Sequence, residues 1–174
     1  MTAPALTDTL SRLRLHESAH ICATAILEGA IEIGSESSVW HHAVLRADFG
    51  HISIGRATNI QENVVVHMSP GGSVDVGDFV SVGHGAILHG CVIEEHCIIG
   101  MGAIVMNDVH IGKGSIVGAG SVVHRGTYPA NSLIVDTRVV RQTTHEDHHK
   151  ILRNAIEYAQ LIKRMRAAQE GSAS

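Results

Sequence analysis

Three histidines, His67, His84 and His89, are the residues of this chain whose type and spacing could hold a metal ion. A neutral imidazole is a strong zinc ligand, and three of them leave one tetrahedral position open to water. Zinc in such a set lowers the pKa of that water to roughly 7, which makes hydroxide available as a nucleophile at neutral pH. Fe(II) or Co(II) would accept the same ligands, so the site is better determined than the metal. The chain carries fourteen histidines, and most must be surface or structural. Taken singly, each of the three is an ordinary polar residue on an outer face. Their case rests on where a repeat places them.

That repeat is a period of six. Ile93, Ile99, Val105, Ile111, Val117 and Val123 follow one another at this spacing without a break. Leu27, Ile33, Val39 and Leu45 keep it, as do Ile54, Ile60 and Val66, and then Val76, Val82 and Leu88. The pattern predicts an all-β parallel β-helix of hexapeptide repeats, with a C-terminal α-helix after it. Three units make one triangular coil, the aliphatic residue of each points inward, and a small residue behind it allows the corner. Composition agrees: 44% of residues are hydrophobic but only 3% are aromatic. A core must then be stacked from many small branched side chains. Separate strands of a sandwich would not hold one phase. The glycines of Gly112–Gly118 look like a nucleotide loop but fall at repeat corners, and no helix starts there.

The phase slips near the histidines. Leu45 to Ile54 spans nine residues, three more than a unit, around Phe49–His51; Val66 to Val76 spans ten, four more, around Met68–Ser73. Both insertions are predicted as outward loops. One coil is eighteen residues plus insertions, and Val66 to Leu88 is twenty-two. His67 and His89, each one place after an inward residue, therefore stack in one outward column on adjacent coils, close enough to share a metal. Arg46 lies in the same column one coil earlier. His84 follows Val82 by two places, on the preceding face of the triangle. It is most naturally donated by a neighbouring subunit, which makes three equivalent interface sites under three-fold symmetry.

Residues 1–142 are read as the β-helix domain and 143–174 as the helix packed on it, with a tail frayed from Gln169. Ser132 to Arg141 reads as one closing strand. Thr144 is a good N-cap with Asp147 three residues on. Ile151, Ala155, Tyr158, Ile162 and Met165 then trace an apolar stripe over roughly six turns. A membrane-surface helix is the alternative for this segment. The formal net charge of −4 gives no basic footprint for nucleic acid. No apolar run approaches membrane-spanning length, and the first residues lack the apolar core of a signal peptide, so a cytoplasmic location is expected. Cys22, Cys91 and Cys97 form no C-x-x-C pair and read as reduced structural thiols. His145 and His149 have helical i, i+4 spacing and could bind metal adventitiously. His41 and His42 adjoin Trp40 and are candidates to border a pocket.

The segments VWHHAVLRADFGHISIGRATNIQENVVVH (39–67) and VGHGAILHGCVIEEHCIIGMGAIV (82–105) resemble the γ-class carbonic anhydrase-like hexapeptide proteins, and within them the phenylacetate-degradation and carnitine-operon branch. The resemblance implies a left-handed helix and a homotrimer with metal between subunits, His67 and His89 coming from one chain and His84 from the next. It also implies that Arg46 and Asp48 form intersubunit ion pairs, that Gln61 hydrogen-bonds the metal-bound water, and that Asn59 is a polar neighbour. Three departures stand out. Glu62 occupies a position where the family usually has Asp. The loop Met68–Ser73 carries no carboxylate, whereas the archaeal prototype has an acidic loop for proton export. Val135-Asp-Thr-Arg138 replaces the usual C-terminal segment.

Four functions compete. The first is metal-dependent hydration of CO2 to bicarbonate, with Gln61 orienting the nucleophile and Glu62 or a mobile histidine moving the proton. The second keeps the site for another small carbonyl or carbon–nitrogen substrate, such as an acyl-CoA thioester. The third is a non-catalytic trimeric scaffold. The fourth, an acyltransferase, sits poorly with a three-histidine set.

Overall fold

The six-residue period folds mostly as parallel strands of two to four residues, each hydrogen-bonded to its equivalent one coil away. The structure is a computed structural model that describes residues 12–171. The strands define three faces. The first stacks Ile26, Val44, Val65, Ile87, Ile104 and Val122 in register. The second runs through Ile31–Ile33, His51–Ile54, Ser73–Val76, Val92–Ile93, Val109–Ile111 and Gly126–Tyr128. The third stacks His20, Ser38, Asn59 and Ser81, then Ile98, Ile116 and Leu133. Inside, the inward residues of the three faces form one continuous aliphatic core. Val39, Leu45, Ile60, Val66, Val82, Leu88, Ile99, Val105, Ile111, Val117 and Val123 are all fully buried. Val, Ile and Leu suit this position because a branched side chain packs flat on the pleat against the same residue above and below.

Two sequence expectations change. The insertion near Phe49 is not a free loop. Val44–Ile54 is one eleven-residue strand that turns a corner between the first two faces. Its register against Ile26–Ile33 jumps between Gly29 and Ala30, so that Ala47 and His51 face consecutive partners and Asp48–Gly50 bulge out. The bulge is held by the second insertion, because Gly71 N–H donates to the Phe49 carbonyl at 3.1 Å. A Cβ on Gly50 would lie 1.9 Å from the Gly72 carbonyl oxygen, so the two insertions stack only because this residue is glycine. Second, Ser132–Arg141 is a hairpin. Ser132–Val135 pairs antiparallel with Arg138–Gln142. Asp136 at the turn has a φ of 54°. Reversal there lets the last strand cover the open edge of the final coil and deliver the chain to the helix.

The helix spans His145–Gly171, 27 residues, past the Gln169 at which fraying is expected. Its start is a reciprocal cap: Asp147 N–H donates to Thr144 Oγ1 at 3.2 Å, and Thr144 N–H donates to Asp147 Oδ2 at 2.8 Å. Ile151, Ala155 and Ile162 are buried against the third face. Tyr158 meets Trp40 edge-on at 5.5 Å, and Arg166 donates to the carbonyls of Glu17 and Ala19. No helix among the described residues is long and apolar enough to cross a membrane.

Candidate metal centre

The predicted site residues fall into two groups on different faces. His67 and His89 stand on the first face as register partners. Their rings lie 5.2 Å apart between centroids, and His67 Nδ1 is 3.2 Å from His89 Nε2. Two nitrogens bound at about 2.05 Å to one tetrahedral zinc are separated by about 3.3 Å, so this pair has the spacing of two ligands of one ion. Asp48, on the bulge, sits 2.8 Å from His67 Nε2 through Oδ1. Arg46 pairs with the other Asp48 oxygen. Within the single chain the two residues of the expected intersubunit pairs thus meet each other. Burial alone would raise the Asp48 carboxyl, but the hydrogen bond from His67, a backbone N–H and the Arg46 charge together hold it below the usual carboxylate range. Phe49 packs edge-on against His67 at 5.8 Å.

The second group lies on the third face. Asn59 and Gln61 are buried, at 1% and 6% exposure. Gln61 Nε2 donates to Asn59 Oδ1 at 2.9 Å, and Asn59 Nδ2 donates to Ser81 Oγ at 2.8 Å. One Gln61 amide N–H is thereby committed, which fixes the amide and leaves Oε1 as the end able to accept a hydrogen bond from outside the chain. His84 lies at the next corner with its side chain 48% exposed, and its Nδ1 is 2.7 Å from Glu62 Oε2. The pair is close but off the hydrogen-bond line, since Oε2 has no aligned donor. Glu62 therefore faces a candidate ligand, in the role that oxygen acceptors commonly play toward ligating imidazoles.

Within the described residues of one chain, no three His, Cys, Asp or Glu side chains gather as a metal set. Beside the second group, a groove of about 460 Å³ runs between the helix and the corners, lined by Gln61, His84, Met101, Lys150, Asn154 and Tyr158 among others. His41 and His42 do not line it; His41 instead meets Thr24 at 2.8 Å. His145 and His149 meet edge-on, ring centroids 4.4 Å apart, on the exposed first turn of the helix.

Sequence reasoning missed Asn107. Its Oδ1 is 2.8 Å from His89 Nδ1, and it stands eighteen residues after that histidine. The offset equals one coil of the repeat, and that was the signal available to find it.

Comparison with known proteins places this architecture. The family described as bacterial transferase hexapeptide (six repeats) matches residues 90–125. A probable carbonic anhydrase of Methanocaldococcus jannaschii is 40% identical over 84% of this chain and 94% of its own length. Gamma carbonic anhydrase 1, mitochondrial, of Arabidopsis thaliana is 35% identical over 84% of this chain, which spans 57% of that longer protein. A Bacillus cereus structure described as an acetyltransferase superposes with a TM-score of 0.86 at 33% identity, covering 90% of this chain and 92% of its own. The chain is a hexapeptide-repeat β-helix protein. It belongs to the γ-carbonic anhydrase-like family within that group.

Proposed function

We propose that this protein is a metal-dependent γ-carbonic anhydrase-like enzyme that works as a homotrimer and interconverts CO2 and bicarbonate. The observation that carries the reading is the division of the site. His67 and His89 converge at ligand spacing on one face, while His84, backed by Glu62, points outward from another. A neighbouring copy brings the halves together, so His67 and His89 of one chain and His84 of the next would hold the ion. Zinc, or alternatively iron or cobalt, would supply the Lewis acidity that brings the pKa of a water to near neutral.

The chain's own residues do the rest. Asp48 and Glu62 each orient an imidazole. Gln61, anchored through Asn59 to Ser81, offers Oε1 to hold a donor proton in a fixed direction. Glu62 or an exposed histidine carries the proton away. Apolar packing supports the assembly: Ile26, Val44, Val65, Ile87, Ile104 and Val122 form an unbroken outward ladder beside the ligand column. Ile26 is 49% and Val65 38% exposed in the single chain. Such a continuous apolar face marks an interaction surface, and a three-fold arrangement of copies covers it.

The groove beside Gln61 and His84 favours a second reading. About 460 Å³ is far more room than CO2 needs, and Lys150 could meet an anionic group at its rim. The same centre would then hydrolyse a larger carbonyl compound, such as an acyl thioester.

The test combines metal analysis, subunit mass and stopped-flow hydration. Wild-type protein should carry one ion per chain and hydrate CO2. His84→Ala should lose the ion and the activity while remaining a trimer. A zinc- or iron-loaded protein with full occupancy and no hydration would overturn the CO2 reading, and thioester hydrolysis lost in His89→Ala would establish the second.

A further inference from the structure

We propose that Asn107 is a positioning residue that holds His89 as its Nδ1–H tautomer and so keeps Nε2 open toward the metal; the inference rests on the metal-centre reading above. Neutral imidazole has one N–H and one lone pair, and the partner of one nitrogen decides the role of the other. Asn107 Oδ1 lies 2.8 Å from His89 Nδ1. An amide oxygen can only accept, so Nδ1 carries the hydrogen and Nε2 keeps its lone pair. On the other ring, Asp48 Oδ1 lies 2.8 Å from His67 Nε2. A carboxylate also only accepts, so in the neutral ring His67 Nδ1 keeps its lone pair. These two lone pairs face each other across 3.2 Å. With no hydrogen between them they repel, and a cation between them removes the repulsion. The two acceptors together prepare the pair for a metal.

The amide is placed by features of its own. Asn107 Nδ2 donates to Ser69 Oγ at 3.3 Å, which ties it to the second insertion. The Asp108 N–H donates to the Gly90 carbonyl at 2.9 Å and locks the two coils together at this point. Gly90 has φ of 59°, and a Cβ there would lie 2.3 Å from Asn107 Oδ1. The residue after His89 must therefore be glycine for the amide to reach the ring. The opposite amide orientation gives a different molecule. Nδ2 would then donate to His89 Nδ1, His89 would donate through Nε2 to His67 Nδ1, and the pair would satisfy itself without an ion.

The two arrangements are separated by long-range ¹H–¹⁵N correlation spectra of the imidazoles in full-length, zinc-free protein. The Nδ1–H pattern is expected for His89, and an Nε2–H pattern overturns the proposal. Zn²⁺ affinity, measured by competition with a chelating dye, gives an independent reading. Asn107→Leu should weaken it roughly 10- to 100-fold, the usual loss when a partner behind a ligating histidine is removed. Asn107→Asp keeps an acceptor in place and should restore affinity to within a few fold of wild type. Equal affinity of the Leu variant and wild type refutes the role. Asn107 is exposed, so both variants should keep the wild-type melting temperature. Wild-type protein that binds no Zn²⁺ would overturn the metal-centre reading instead, and the tautomer spectrum would still report on Asn107.

Discussion

Leu88 and Ile87 are adjacent, and their replacement by alanine should have opposite consequences. Leu88 is fully buried, with Val66 and Val105 as its partners on the neighbouring coils. Removing three carbons forfeits about 2.4 kcal/mol at ~0.8 kcal/mol each. The void adds to this, because hydrogen-bonded strands hold the coils about 4.8 Å apart and prevent collapse. The expected loss is about 3–4 kcal/mol, inside the range measured for buried leucines. Ile87 points outward onto the apolar ladder and is only half-buried in the single chain. Its truncation should cost the fold of one chain less than about 1 kcal/mol but weaken association of copies. Urea unfolding at fixed protein concentration, followed by far-UV circular dichroism, measures the first effect. Sedimentation velocity over a dilution series measures the second. Leu88→Ala with less than about 1 kcal/mol of loss would refute the rigid-stack argument. Ile87→Ala with undiminished trimer at every dilution would refute the role of the ladder.

Two further outcomes follow from local chemistry. Burial pushes the Cys91 and Cys97 thiols up to about 12, so neither should react with a disulfide reagent at pH 8 in the native state, and both should react after unfolding; rapid labelling of native protein would contradict this. The Arg141 guanidinium and the Thr144 backbone N–H hold the Asp147 carboxyl well below the usual carboxylate range. A depressed carboxylate stabilises the fold fully above its unfolded pKa, about 4, and less as pH falls below that. The stability gap between wild type and Asp147→Asn should therefore be wide at pH 7 and narrow toward pH 2 in urea titrations; a gap that does not change with pH would refute the cap's electrostatic role.

Much of the architecture was legible because the repeat is strict. A six-residue phase puts one aliphatic in every coil interior, and the sheet register follows from it. The pairing of His67 with His89 was readable for the same reason, since each follows an inward residue by one place. The helix cap was readable because Thr144 and Asp147 act within one turn. The bulge at Asp48–Gly50 was not readable as such. An insertion of three residues fits a loop or a bulge equally, and contact with the Gly71–Gly72 turn decides between them. Likewise Ser132–Arg141 contains enough β-branched residues for one long strand, and only the exposed edge of the last coil gives its second half something to pair with.

Spacing along the chain was enough to give the coil, its interior, the histidine pair and the position of His84 on a different face. Each is a matter of counting along a periodic chain, where local spacing and spatial neighbourhood coincide. Tertiary structure alone decided the orientation of the rings. Asp48 reaches His67 through the bulge, Glu62 lies against His84 at a corner, and Asn107 meets His89 across a gap that Gly90 leaves open. These contacts depend on side-chain direction and backbone approach between coils, which a period of six does not specify.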